Sequence, residues 1–206
     1  CNRLNEVFFH YIQTAQPLVV MKYAMTMDGK IAACTGASKW VTGEEARAHV
    51  QEQRNACAAI MAGGGTVLAD DPLLTSRLPG GRNPVRVICD THLRTPPTAR
   101  VVADAREAPT ILATCSTDAE KRAVCENAGC RVLVLDEKGG HVNLAQLMER
   151  LGQEQIDSVL LEGGGTLNWA ALESGIVQRV QAYIAPKLFG GRDAKTPVEG
   201  QGVPAP

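Results

Sequence analysis

The run Ser158-Val159-Leu160-Leu161-Glu162-Gly163-Gly164-Gly165-Thr166-Leu167-Asn168 decides how the rest of the chain is read. A short apolar stretch delivers the backbone to one carboxylate and three glycines, and a segment at helical spacing, Leu167 to Ser174, leads away. Glycine turns the backbone through φ > 0 and lets a ligand approach it with no Cβ in the way. A helix that starts after such a turn offers unpaired N–H groups and the positive end of its dipole, which suits a phosphate. The device also occurs earlier, where Ala58-Ala59-Ile60-Met61-Ala62 runs into Gly63-Gly64-Gly65-Thr66. Either unit alone reads equally as a tight strand-to-helix turn or as a ligand cradle, because a glycine-rich turn is a weak motif. Two of them, one with an acid directly before it, favour a crevice lined from two sides by bare backbone.

Outward from that stretch the chain alternates. Strands are expected at 57–62, Val85–Asp90, Thr110–Thr114, Arg131–Leu135, Ser158–Glu162 and Arg179–Ile184, with helices at Asp118–Asn127, Asn143–Leu151 and Thr166–Ser174. That order predicts an α/β domain whose mostly parallel central sheet carries helices on both faces. Ligands in such sheets bind beyond the carboxyl ends of the strands, at a switch point. Glu162, both glycine turns and the Thr91–Arg94 loop all fall at such ends.

The N-terminal part is less regular. Residues 1–16 read as a tail packed on something else, with Leu4, Val7, Phe8, Tyr11 and Ile12 on one helical stripe ended by Pro17. Leu18 to Ala24 is a strand in which Lys22 is a lone charge, set either to snorkel at an edge or to point into a polar cleft. Asp28-Gly29 is a turn, and Ile31–Cys34 is expected as a second short strand. Thr42-Gly43-Glu44-Glu45 reads as a capping box opening a helix to about Asn55. On it Arg47, Val50 and Arg54 share a face, so an arginine there is an ion-pair partner or an anion clamp. Asp70-Asp71-Pro72 reads as a helix stop. Gly190 to Pro206 is rich in Gly and Pro with no closing strand, so a C-terminal piece of the domain is expected to be absent.

Composition narrows the partners. The net charge of −1 over 206 residues, with no Lys/Arg run, argues against nucleic acid or an anionic membrane. No apolar stretch approaches the roughly 18 residues of a membrane span. Seven scattered cysteines read as reduced thiols in a cytoplasmic protein, and no zinc-ligand spacing is present. No P-loop, strict dinucleotide fingerprint or nucleophile elbow occurs; Asn168 stands where the fingerprint needs glycine. The residues by themselves lead to an enzyme or a binding module for a phosphate-bearing ligand.

Several blocks then carry a resemblance. Val20-Met21-Lys22-Tyr23-Ala24-Met25-Thr26-Met27-Asp28-Gly29-Lys30-Ile31-Ala32, Ser38-Lys39-Trp40-Val41-Thr42, Thr66 to Arg77, Leu161 to Leu167 and Ile184-Ala185-Pro186-Lys187-Leu188 stand in one order. In that order they resemble the reductase domain of the bifunctional riboflavin-biosynthesis deaminase/reductase. The resemblance covers residues 17–206, and residues 1–16 look like the tail of a preceding deaminase domain. The zinc motifs of that domain are missing here, so zinc and deamination belong outside this chain. The resemblance implies a dihydrofolate-reductase-like α/β fold and NADPH. It further implies reduction of the ribose of 5-amino-6-(5-phosphoribosylamino)uracil to a ribityl chain, in a homo-oligomer. A dihydrofolate-type pterin reductase and a non-catalytic phosphosugar-nucleotide binding module are the alternatives. Position by position, Ala24, Trp40, Thr66, Asp70, Thr91 and the turn Gly164, Gly165, Thr166, Leu167, Asn168, Trp169 and Ala170 match cofactor contacts. Ser38, Arg54, Leu74, Arg77 and Glu162 match substrate contacts, with Lys22 and Glu162 as the catalytic pair. Thr91, alone or with His92 or Arg94, matches the reader of the cofactor 2′-phosphate.

Overall fold

A computed structural model of the protein describes residues 4–205. The element that carries the opening stretch is β8 (Ser158–Leu161), followed by α7 (Gly165–Glu173). Its neighbours in the sheet are β1 (Leu18–Thr26) and β2 (Ala59–Gly63). With β3 (Val85–Cys89), β4 (Thr110–Thr114), β5 (Arg131–Val134) and β9 (Arg179–Ala185) they form one seven-stranded sheet in the order β5-β4-β3-β2-β8-β1-β9. Every paired neighbour in it is parallel. A parallel sheet is covered on both faces, so its strands read as unbroken apolar runs. Val19, Ile60, Met61, Val159, Leu160 and Leu161 are accordingly all buried completely or nearly so.

The two faces have separate cores. Val19, Met21, Met61, Val159 and Leu161 pack under α6 (Leu144–Gln153) and α7. Helix α6 sends Leu144, Leu147, Met148 and Leu151 into this core, the spacing of one helical stripe. Each fully buried leucine contributes about 1.5–3 kcal/mol. Asn143 caps α6 by accepting from the Gln146 N–H. On the opposite face Ile60, Ala62, Ile88 and Leu112 pack with Val67 of α3 (Gly64–Asp70), Val101 and Val102 of α4 (Arg100–Ala103) and Cys125 of α5 (Ala119–Asn127). β2 therefore leads into a helix on one face, and its neighbour β8 into a helix on the other. A crevice opens at the carboxyl edge between such strands.

Three sequence expectations are corrected. Ile31–Cys34 is not a strand: Ile31 bonds to Lys195 O, and Ala33 closes a local turn with Ala37, so no sheet partner is free for it. The Thr42 capping box does not form. Helix α2 (Glu44–Ala56) starts one residue later behind Gly43, and the Thr42 carbonyl instead accepts from the Arg47 guanidinium. The apolar stripe of α1 (Glu6–Thr14) splits, with Val7 packing on Leu18 and Leu160 while Phe8 and Ile12 stay exposed. Of the two readings open for Lys22, the sheet order closes the edge one, because β1 lies between β8 and β9. Sequence periodicity also passed over α4, one turn long, and a two-stranded hairpin of β6 (Glu137–Lys138) and β7 (His141–Val142), both too short to show a period.

Candidate active site

Glu162 follows the last residue of β8, and its N–H still completes the ladder by donating to Met61 O at 2.8 Å. Register places Met21 opposite Leu161, so Lys22 and Glu162 point to one face, that of α2. There Arg54 donates in bidentate fashion to the carboxylate, Nε to Oε1 at 2.7 Å and Nη2 to Oε2 at 3.0 Å. Lys22 Nζ reaches Oε2 at 3.4 Å. All three side chains are nearly buried. Burial pushes the Glu162 carboxyl up, but the charges and hydrogen bonds of Lys22 and Arg54 outweigh it and hold the group at about 2. Of the two readings open for Arg54, the structure shows the ion pair. A cluster of two cations and one anion keeps a surplus positive charge, which suits an anionic ligand.

One residue further on the geometry changes face. Gly163, Gly164 and Gly165 carry the chain over the sheet edge to α7. Opposite them Gly63 and Gly64 lead into α3, and between the two turns lies a cleft of about 510 Å³. That volume suits a nucleotide-sized ligand. A Cβ on Gly64 would stand 2.8 Å from Asp90 Cγ, and one on Gly163 2.7 Å from Asn168 Oδ1, so both glycines are required for the close approach. Thr66, Asp70 and Thr91 line the cleft from the β2 and β3 side. Gly164, Gly165, Thr166, Leu167 and Ala170 line it from α7, and Ser38 from the loop after β1.

Other residues singled out from the sequence stand elsewhere. Ala24 lies on the α2 face of β1, two residues beyond Lys22 and opposite Tyr183. Trp40 is exposed, with the Arg47 guanidinium 4.9 Å from its ring centre. Asn168 is fully buried and donates to Pro197 O at 2.8 Å, while Trp169 packs against Gly200. Leu74 is buried at φ 53°. Its loop is held by Arg86 Nη1 on Leu73 O and Arg54 Nη1 on Thr75 O, both at 3.2 Å. Arg77 is exposed beside α2, its N–H on the Gln51 side chain.

Sequence reasoning missed several cleft residues. Asp90 is buried, and its Oδ2 accepts from Arg94 N, Thr95 N and Thr95 Oγ1, each at 2.7 Å, which shapes the turn carrying Thr91. Cys89 also lines the cleft, but burial and then Asp90 push its thiol up to about 12, so it is no nucleophile. Lys195 and Glu199 arrive from the C-terminal segment. An acid at a strand end was a usable signal for Asp90; nothing local marks Glu199. Among the described residues no group of His, Cys, Asp or Glu is placed to hold a metal ion.

The sheet order and the cleft at its carboxyl edge define a dihydrofolate-reductase-like α/β protein. Residues 17–206 match the RibD C-terminal domain, and the chain belongs to that family, which serves the pyrimidine reductase step of riboflavin biosynthesis. It is 55% identical over 203 residues to the riboflavin biosynthesis protein RibD of Actinobacillus pleuropneumoniae, covering 98% of this chain and 54% of the relative. The 2,5-diamino-6-ribosylamino-4(3H)-pyrimidinone 5′-phosphate reductase of Methanothermobacter thermautotrophicus is 44% identical over 191 residues, covering 91% of this chain and 86% of the relative. A crystal structure of a diaminohydroxyphosphoribosylaminopyrimidine deaminase/5-amino-6-(5-phosphoribosylamino)uracil reductase from Thermotoga maritima is similar with a TM-score of 0.83 at 34% identity, covering 99% of this chain and 55% of that one. The chain thus spans about half the length of the RibD relative and of this structure.

Proposed function

We propose that residues 17–206 are a reductase domain that uses NADPH to convert the ribose of 5-amino-6-(5-phosphoribosylamino)uracil to the ribityl chain. The observation that carries this reading is the turn from Glu162 to Gly165. It sets a charged cluster on one face of the sheet one residue away from a bare-backbone cradle that opens into the cleft. The N-terminus of α7 is built for a pyrophosphate, with Gly165 and Thr166 in its first turn. Arg77, exposed and a forked donor, suits the phosphate of the substrate, while Arg54, its donors engaged by Glu162 and Thr75 O, positions Glu162 beside it. The Methanothermobacter reductase and the Thermotoga protein carry a phosphorylated ribosylaminopyrimidine in their names, the chemistry such an arginine fits.

NADPH, when bound, supplies the hydride for C1′ of the opened sugar. The chain's own residues do the rest. Lys22 and Arg54 together hold Glu162 ionised against its burial, and the bidentate Arg54 fixes its orientation. Glu162 in turn fixes the end of the Lys22 side chain, 3.4 Å from its Oε2, and Lys22 polarises the sugar oxygen as the ring opens. The six described free cysteines, five of them with thiols raised mainly by burial, support the cytoplasm as its place. The outer edge of β9, with Val180 and Ile184 exposed, supports a homo-oligomer. No helix among the described residues is long and apolar enough to cross a membrane.

The test is a change in reduced-nicotinamide absorbance. Oxidation of NADPH with the deaminated phosphoribosylaminopyrimidine and none with dihydrofolate is the expected result. Oxidation with dihydrofolate alone would give the pterin reading, and NADPH binding without any turnover the binding-module reading.

A further inference from the structure

The segment from Phe189 to Gly200 runs along the molecule as a strap tied at both ends. Phe189 and Gly190 donate their N–H groups to the Asp28 carboxylate at 3.2 and 2.7 Å. Lys195 O accepts from Ile31 N at 2.9 Å, Pro197 O from Asn168 Nδ2 at 2.8 Å, and Gly165 O from Glu199 N at 3.2 Å. Two glycines are shaped to this path. A Cβ on Gly165 would run into the Glu199 side chain and stand 2.9 Å from Thr196 O; one on Gly200 would run into the Trp169 indole.

The strap ends in a charge. Glu199 Oε2 accepts from Thr166 Oγ1 at 2.9 Å. Gly165 and Thr166 open the nine-residue α7, and Glu199 lines the cleft beside them. The carboxylate therefore rests on the positive end of the α7 dipole, where it is stabilised. A second feature of the same turn points to a ligand: the helix end opens into the cleft of about 510 Å³, walled on one side by Gly163, Gly164 and Gly165 and on the other by Gly63, Gly64 and Gly65. A pyrophosphate needs the same Thr166 hydroxyl and the same helix end. Like charges at that spacing repel by several RT at the dielectric of a protein surface.

We propose that Glu199 is an internal anion occupying the pyrophosphate position of α7, and that the 195–200 strap must withdraw it for a dinucleotide to bind. The proposal rests on the cofactor reading above. Glu199 thereby sets cofactor affinity without touching the reacting atoms. The strap also holds Ile31, so its withdrawal reaches the loop that carries Ser38.

The experiment measures binding of NADPH and of inorganic pyrophosphate to the full chain and to Glu199→Gln and Glu199→Asp, by calorimetry and tryptophan emission. Glu199→Gln removes the charge and should bind both ligands about three- to tenfold more tightly. Glu199→Asp keeps the charge but shortens its reach, and should fall between. In a Trp40→Phe background, pyrophosphate should shift the emission of Trp169, which touches the strap. Weaker NADPH binding by Glu199→Gln would make Glu199 a cofactor contact and overturn the proposal, as would unchanged binding of both ligands. No binding of NADPH or pyrophosphate to any form, wild type included, would overturn the cofactor reading and the proposal with it, a result distinct from the other two.

Discussion

Glu162 is the residue on which the site turns. Its carboxylate joins β8 to β1 through Lys22 and to α2 through Arg54, so replacing it leaves two nearly buried cations without a counter-charge. Glu162→Gln is expected to cost about 2–4 kcal/mol in denaturant unfolding and to lower turnover. The pH dependence follows from the sign of the shift. The carboxyl stands at about 2 in the folded protein against 4.5 as reference. Its contribution, on the order of 3 kcal/mol, is therefore complete above the reference value and lost as pH falls toward 2. The stability gap between wild type and Glu162→Gln should close across that window and stay constant near neutrality. Lys22→Met should reduce turnover by about a hundredfold or more while NADPH affinity changes little. Arg77→Ala should weaken substrate binding far more than NADPH binding; equal losses in titrations of the two would remove Arg77 from the substrate side.

The glycine turns show how an element boundary becomes a site. Gly64 and Gly65 stand side by side at the start of α3, yet a Cβ meets quite different surroundings at each. At Gly64 it would lie 2.8 Å from Asp90 Cγ, and at Gly65 nothing stands within 4 Å. Asp90 cannot yield, because its Oδ2 holds three donors of the Thr91–Thr95 turn. Gly64→Ala should then cost about 1–3 kcal/mol and weaken cofactor binding by distorting that turn. Gly65→Ala should be neutral to stabilising by up to about 1 kcal/mol. Thermal melts of the two variants, read beside NADPH titrations, separate a packing requirement from mere helix propensity.

At the scale of the whole molecule a single buried cation ties the sheet to the site loop. Arg86 on β3 is completely buried, and burial lowers its pKa. It donates to Thr110 Oγ1 at 2.9 Å, Leu73 O at 3.2 Å and Ala108 O at 2.6 Å. It thus fastens β4, the turn before it and the loop carrying Leu74 and Arg77. Arg86→Met would strand those acceptors and is expected to cost about 2–4 kcal/mol. If the protein still folds, substrate KM should rise more than NADPH KM, since the Leu73–Arg77 loop is what comes loose.

The central elements were legible in the chain because parallel strands buried on both faces must be apolar throughout, and because glycine turns follow β2 and β8. The bounds of β4 and the start of β9 were read directly, as were the Asp70–Pro72 helix stop and the glycine cradle. What stayed illegible depends on partners distant in sequence. The Ile31–Cys34 stretch has strand-forming residues but lost its place to Lys195, more than 160 positions away. Arg54 was open between ion pair and anion clamp, and was decided by Glu162, 108 positions on. Glu199 had no local signal at all. The sequence by itself determined that there would be a parallel α/β sheet with a backbone cradle at its carboxyl edge, since periodicity and glycine placement are local properties of the chain. Only the tertiary structure decided which charges meet there. Ion pairing and burial depend on distance in space, and folding brings together groups that the chain holds far apart.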